Sequence, residues 1–370
     1  MRVAVVCPYS LSRPGGVQGQ VLGLARALEG LGHTTMVVAP ADGPVEVPGL
    51  AGAVTVVGGA LAVPANGSVA PVSLSPLAAR RAVGAIRGGH VDVVHLHEPL
   101  APGPGYGCLV AGGVPLVGTF HRSGASAGYR LLGPLARWAA GRLTVRCAVS
   151  PEAEATAAAA LGGRYEVVGN GVELERVAGA TPWPTEGPTI LFVGRHERRK
   201  GLGVLLEAFG HLDVPGAVLW IVGDGPQTAV LRAANPPTRH VQWLGRVSDA
   251  ELASRLRGAD VLCAPSLGGE SFGMILVEAM AARTAVVASD LRGYAFVADG
   301  RAALVAPGDA DALAAALRRA VIDAGRGGGL SAEEALDDAY GQAEKWSMKR
   351  LARRYADIYA AAVSGSGRVR

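Results

Sequence analysis

Short apolar runs rich in Val, Ile and Leu alternate with helical stretches along this chain, and the alternation occurs twice. In the first series Val3–Cys7, Thr34–Ala39, Val91–His97, Pro115–Phe120 and Leu143–Ser150 read as strands, with an amphipathic helix over Val17–Glu29 and further helical segments between the others. The second series places strands at Thr189–Val193, Ala217–Val222, His240–Trp243, Val261–Ala264 and Ala285–Ala288, interleaved with helices over Leu202–Phe209, Asp249–Leu256 and Phe272–Ala281. Helices over Asp311–Val321 and Ser347–Val363 close the chain. Strands that alternate with helices form a parallel sheet covered on both faces. Between the two series lies GNGVELERVAGATPWPTEGP, whose Pro182, Pro184 and Pro188 give it a linker's composition. At 370 residues the chain exceeds one typical core. The expected architecture is α/β, with two doubly wound Rossmann-like domains facing a central cleft. Residues 1–169 form the N-terminal domain, 170–345 the C-terminal domain, and 346–370 a helix expected to pack back on the first domain, with a tail.

Composition narrows the function classes. With 49% hydrophobic and 18% charged residues the chain is globular rather than disordered. A net charge of +4 suits phosphate-bearing ligands or an anionic membrane surface and is too diffuse to argue for nucleic acid. Cys7, Cys108, Cys147 and Cys263 are far apart and form no CxxC, which reads as reduced, buried thiols in a cytoplasmic protein. Val47–Ala79 carries no charge, but Pro48, Pro64, Pro71 and Pro76 argue against a spanning helix of about 20 residues. Strands and loops are expected there. The apolar run of the N-terminus is too short for a signal peptide.

Ligands of doubly wound sheets bind beyond the carboxyl ends of the strands. After the first strand, PYSLSRPGGVQ carries Pro14-Gly15-Gly16 just before a helix. Glycines there let backbone approach a ligand, and helix N-termini attract phosphate. A tight strand–helix turn accounts for the same residues. G-x-G-x-x-G and G-x-x-x-x-G-K-[ST] are both absent, which disfavours a dinucleotide or P-loop site. After the first strand of the second series, GRHERRKG gathers Arg195, Arg198, Arg199 and Lys200, a cluster suited to a diphosphate. IVGDGP and LGRVSD end further strands on the same edge. LGGESFGMILVEAMAA sets Glu270 at the mouth of an apolar helix and Glu278 eight residues further on. A carboxylate in such a run is expensive to bury unpaired. With both on one helix, the pair would be separated by roughly 12 Å of rise. The amides of Ser271, Phe272 and Gly273 would then point at phosphate oxygens.

GRHERRKG, VGDGP, LGRVSD, GGESFGMILVEAMA and GNGVE occur in the order and spacing of the retaining glycosyltransferases of family 4, which have the GT-B fold. The chain resembles that family over nearly its whole length. CPYSLSRPGGVQ, PANGSVA, VHLHEP and GTFH are similar more narrowly to its phosphatidylinositol mannosyltransferase branch. The resemblance implies that Glu270 contacts the transferred sugar and Glu278 the ribose, while Arg195 and Lys200 neutralise the diphosphate with Arg199 beside them. Gly16 nears the donor, together with Ser271, Phe272, Gly273 and Met274, and Val247 and Asp249 contact the base. His121 lies by the transferred sugar. Tyr9, Gln18, Asn66 and Ser68 match acceptor-side positions. Pro71, Ser126 and Leu252 stand where the branch has cations, and Arg122 is the candidate replacement for one of them.

The reaction implied by this resemblance is transfer of a hexose, best matched by mannose from GDP-mannose, to a hydroxyl of a phosphatidylinositol-like lipid at the inner face of the cell membrane. Configuration would be retained. The protein's part would be charge stabilisation of the leaving diphosphate. No D-x-D stands at a cleft position, so no metal and no cofactor is expected. A UDP-sugar with another acceptor, a nicotinamide dehydrogenase and a non-catalytic nucleotide-sugar binder are the alternatives. His95 and His97 mimic a metal pair, but alternate residues of a strand share a face and can be buried and satisfied together. LAARRAVGAIRGG (Leu77–Gly89) reads equally as a basic amphipathic helix for anionic lipid and as the wet face of a surface helix.

Overall fold

The computed structural model describes residues 1–13, 15–43, 45, 47–65, 68–124 and 133–366. They divide into two compact units, Met1–Gly171 with Met348–Arg370, and Val172–Ser347.

The first unit holds β1 (Arg2–Val6), β2 (Thr34–Ala39), β3 (Ala53–Val56), β4 (Leu61–Ala65), β5 (Ser68–Val72), β6 (Val93–His97), β7 (Leu116–Phe120), β8 (Val145–Ala148) and β9 (Glu166–Val167). Seven of these form a parallel sheet in the order β3-β2-β1-β6-β7-β8-β9, so the strand order reverses at β1. The uncharged stretch contains β3 and the antiparallel pair β4–β5, not a spanning helix. A two-stranded ribbon has only edges, which is where Pro64 and Pro71 can sit without losing ladder bonds. Among the described residues no helix is long and apolar enough to cross a membrane.

Helix Gly16–Glu29 covers one face of this sheet because Val21, Leu24, Ala25 and Leu28 recur at helical spacing and are all buried. Beside it lies helix Met348–Ser366, burying Ala352, Tyr355 and Tyr359 in the same cluster. Trimming Leu24 to alanine in such a site costs about 2–5 kcal/mol. The other face is covered by helices Pro76–Gly88, Pro104–Ala111, Gly133–Gly141 and Pro151–Leu161. Two of them start on a serine cap followed by proline: Ser75 accepts from the amide of Leu77 and Ser150 from that of Ala153.

The second unit holds β10 (Thr189–Val193), β11 (Val218–Val222), β12 (Val241–Gly245), β13 (Val261–Ala264), β14 (Ala285–Ser289) and β15 (Ala303–Val305), all parallel, in the order β12-β11-β10-β13-β14-β15. Here the order reverses between β10 and β13. Helices Leu202–Gly210 and Ala310–Ala324 cover one face, and Asp249–Gly258, Met274–Ala281 and Glu333–Lys345 the other. The helix expected from Phe272 starts instead at Met274. Gly273, at φ +100°, breaks the chain there, and the Phe272 ring packs between Phe296 and Trp346 in the core.

Candidate active site

In the second unit the loops leaving β10 and β13 meet at the reversal of strand order, the place where doubly wound sheets bind ligands. The amide of Leu267 donates to the carbonyl of Arg199 across 2.7 Å. Gly201, at φ +69°, allows this approach, because a Cβ there would sit 1.8 Å from the carbonyl oxygen of Pro265. Where the loops join, charges alternate. Arg195 Nε lies 3.2 Å from Glu197 Oε1, and Arg199 Nε lies 3.1 Å from Glu197 Oε2. Arg199 Nη1 and Lys200 Nζ then reach the same oxygen of Glu270, at 2.9 and 2.6 Å. Glu197 is 4% exposed and Glu270 11%, while Arg195 is half exposed. The cluster holds three cations against two carboxylates, so one positive charge is left over. Helix Arg292–Ala298 supports it from behind: Tyr294 shares a hydrogen bond with Ser266, and Gly293 leaves room for the backbone of Glu270.

Glu278 projects from the second turn of helix Met274–Ala281. Arg176 Nη2 stands 3.5 Å from it, and Arg176 Nη1 2.9 Å from Asp249. Burial pushes the Glu278 carboxyl up to about 7, with Arg176 pulling it down and Asp249 pushing it further up.

In the first unit the exits of β1, β6 and β7 gather Tyr9, His97, Glu98, His121 and Arg122. His97 Nδ1 and His121 Nε2 are 2.9 Å apart, and the amide of His121 donates to Glu98 Oε1 at 2.7 Å. Glu98 adopts a left-handed backbone, φ +45°, as it leaves β6. Burial raises its carboxyl to about 7 and pushes His121 down to about 4. The Tyr9 hydroxyl is raised by burial and by the charge of Glu98, and lowered by that of Arg122. Beneath them His95 is satisfied at both ring nitrogens, by Tyr359 and Thr119, each at 2.7 Å. Thr119 also meets Tyr355.

The family model described as Glycosyltransferase Family 4 matches residues 14–176, and the one described as Glycosyl transferases group 1 matches 187–323. The phosphatidyl-myo-inositol mannosyltransferase of Mycolicibacterium smegmatis is 44% identical over 326 residues, covering 86% of this chain and 84% of that one. Its namesake in Mycobacterium leprae is 40% identical over 341 residues, covering 87% and 89%. The chain belongs to glycosyltransferase family 4. A glycosyltransferase structure from Rickettsia africae matches at a TM-score of 0.76 with 20% identity, covering 98% of each chain. At that identity the likeness concerns fold, and the fold is GT-B.

Within this glycosyltransferase, Arg195, Arg199, Lys200 and Glu270 are brought together and Glu278 is brought to Asp249, but the two acids do not share a helix. Glu270 lies in the loop before Gly273, so helical rise does not set their separation. The helix N-terminus is correspondingly at Met274 rather than Phe272, and the Phe272 side chain belongs to the core. Val247 is partly buried against that core. Gly16 begins helix Gly16–Glu29 after an extended Gly15. Gln18 is buried and donates to the carbonyls of Ser10 and Arg13. Asn66 and Ser126 lie outside the described residues, as does the side chain of Ser68. Arg176 was hidden in a segment with a linker's composition. Its only sequence signal was its place three residues after GNGVE. The cysteines are all free and buried.

Proposed function

We propose that this glycosyltransferase moves mannose from GDP-mannose to a hydroxyl of a phosphatidylinositol-type lipid, with retained configuration and without a metal. The observation that carries this reading is the identity of 40–44% to phosphatidyl-myo-inositol mannosyltransferases over more than four fifths of the chain. The geometry of the second unit supports it. Arg199 and Lys200 each keep spare N–H groups while bound to Glu270, so they can hold a departing diphosphate and the sugar-side carboxylate together. Arg195, half exposed, adds a third donor. Charge on these groups counts most in the transition state, when the phosphate leaves. Glu278 would take the ribose hydroxyls and Asp249 the base side.

The first unit would take the acceptor. It carries 18 Lys and Arg against 9 Asp and Glu, whereas the second carries 17 against 22, a division that favours an anionic lipid on the first. Helix Pro76–Gly88 buries Ala78, Ala82 and Ile86 and leaves Arg80, Arg81 and Arg87 exposed beside Leu77, a face that suits an anionic bilayer. Tyr9, Gln18 and Arg122, with Asn66 and Ser68, would form the headgroup site, and His121 would meet the sugar.

The test is transfer of labelled mannose from GDP-mannose to vesicles containing phosphatidylinositol, with UDP-glucose and UDP-N-acetylglucosamine in parallel and EDTA present. Mannolipid formed from the GDP donor alone, unaffected by EDTA, is expected. Transfer from a UDP-sugar instead, or loss of activity with EDTA, overturns the reading. Flotation of the protein with anionic vesicles at low salt, absent for neutral ones, tests membrane contact.

A further inference from the structure

The donor reading gives no role to Arg176, which touches two of its acids. Arg176 lies on helix Leu174–Ala178, whose Leu174 and Val177 are buried in the core of that unit. Its guanidinium is bracketed by two acids from other elements, Glu278 on helix Met274–Ala281 and Asp249 at the start of helix Asp249–Gly258. Glu278 is the more buried of the two, with 18% of its side chain exposed against 84% for Asp249. We propose that Arg176 is a positioning residue for donor binding, its guanidinium tying the carboxylate of Glu278 to the loop of Asp249 so that both meet the nucleoside in one arrangement. This rests on the donor reading, in which Glu278 holds the ribose.

The physical argument concerns which form of Glu278 can do that work. A carboxylate receives two hydroxyl hydrogen bonds as an acceptor, and it is an acceptor throughout only when ionised. Two charged groups bear on it: Arg176 favours the ionised form, and Asp249 opposes it. Burial also opposes it, and the balance leaves the carboxyl at about 7. Without Arg176, burial and Asp249 act together and the acid becomes neutral at physiological pH. A neutral acid spends one oxygen as a donor, and it is no longer anchored to the helix start that carries Asp249. The guanidinium fits the task because its planar fork reaches two carboxylates at once, which a lysine does only as a point charge.

A merely structural ion pair would weaken the fold or lower affinity evenly at all pH values. A positioning role predicts a shifted pH profile. The measurement is calorimetric titration of GDP between pH 6 and 9 on wild type, Arg176→Gln, Arg176→Lys and Glu278→Gln, with circular dichroism to check folding. Wild-type affinity should be level at high pH and weaken as pH falls through about 7. In Arg176→Gln the fall should begin at higher pH, costing about fivefold in affinity at pH 7 for the first unit that the carboxyl rises and about tenfold for each further one, and affinity should recover towards pH 9. Arg176→Lys should restore the position of the profile on the pH axis, which depends on charge, at lower affinity because it lacks the fork, and Glu278→Gln should be weak with no such dependence. A folded Arg176→Gln protein with the wild-type profile, or with a loss independent of pH, overturns the inference while leaving the donor reading intact. Failure of the wild type to bind GDP overturns both.

Discussion

At the strand reversal of the C-terminal unit, Arg195, Glu197, Arg199, Glu270 and Lys200 form an alternating chain of charges. At the reversal of the N-terminal unit, His97, His121 and Glu98 are packed out of water and held, with the partly buried Tyr9, towards their neutral forms. The two sheets share a winding, so topology does not account for the contrast. What differs is what holds the carboxylates. Glu197 is buried and Glu270 partly so, each in direct contact with guanidinium or ammonium groups. Glu98 accepts instead from the backbone amides of His121 and Arg122, the Arg122 charge pulls its carboxyl down, and burial outweighs them all. The net charges run the other way, since the unit with the near-neutral site is the more basic one. The first unit's positive charge therefore lies largely away from its strand reversal, on surfaces such as helix Pro76–Gly88, while the second unit concentrates cations where a diphosphate would leave.

The largest effect should come from breaking the charge chain. Glu270→Ala and Lys200→Ala are each expected to lower turnover by roughly 10²–10³, the usual loss when one preorganised electrostatic group is removed. Glu278→Ala should act mainly on the Michaelis constant for the donor. Steady-state kinetics at fixed acceptor separate the two. Near-wild-type turnover in both Glu270→Ala and Lys200→Ala would mean that the alternating charges serve only the fold.

Acid should separate the units next. Burial holds His95 at about 3, His121 at about 4 and His97 well below 6.5. The unfolded chain takes up protons on these rings below about pH 6.5 and the folded unit does not, so the stability they carry is present above that pH and drains as pH falls to 4. For a ring displaced as far as His121 the loss approaches about 3 kcal/mol. Glu98, raised to about 7, works in the opposite sense and adds stability between about pH 7 and 4.5, but it is one group against three. In the second unit Glu278, raised likewise, is opposed by His196, whose pKa burial lowers. Hydrogen exchange at pH 7 and pH 4.5, corrected for intrinsic rates, should show protection lost first from β6 and β7. Equal loss from β10 and β13 would remove the contrast.

How much of this was legible beforehand depends on the kind of signal. Strands buried on both faces announce themselves as continuous apolar runs, so β2, β10 and β13 fall where the residues placed them. Helix Glu333–Lys345 did not, because its buried stripe is Ala339, Gln342 and Ala343, too small and too polar to register as an apolar face. Strand β9 is two residues long and β15 three, below what periodicity can detect. At the site, clustered arginines and the paired glutamates were readable because local spacing carried them. Arg176 was not, since its partners lie far along the chain and only folding brings them to it. The position of Glu270 off the helix was also hidden, because nothing in the letters distinguishes a glycine that breaks a helix from one that caps it. Gly273 does so through a left-handed backbone.

Gly201 offers a smaller, sharper test of how the charged site is assembled. Its φ of +69° strains any L side chain, and a Cβ would collide with the carbonyl of Pro265. Gly201→Ala should therefore destabilise the second unit by about 1–3 kcal/mol and pry the β10 and β13 loops apart. The variant should show a lower thermal midpoint together with weaker GDP binding. A loss of stability with unchanged affinity would mean that the two loops need not touch for the donor to bind.

The smallest effect concerns a single proton in the first unit. His97 Nδ1 and His121 Nε2 share a hydrogen bond, and burial keeps both rings neutral, so one ring donates and the other accepts. If His121 donated, His97 would carry its proton on Nε2, which is buried with no hydrogen-bond partner among the described residues. An orphaned buried donor costs about 1–3 kcal/mol, whereas an unused lone pair is tolerated more readily. His97 is thus the donor, and His121 keeps its own proton on Nδ1, where a side-chain hydrogen bond from the ring to Asn170 can use it. Nitrogen NMR on histidine-labelled protein should find His121 in the Nδ1–H form in the wild type. In His97→Phe the tautomer balance should move towards Nε2–H, with turnover falling by less than about tenfold, since the energy at stake is on the order of 1 kcal/mol. A wild-type His121 already protonated at Nε2 would mean that the proton sits on the other side of the pair.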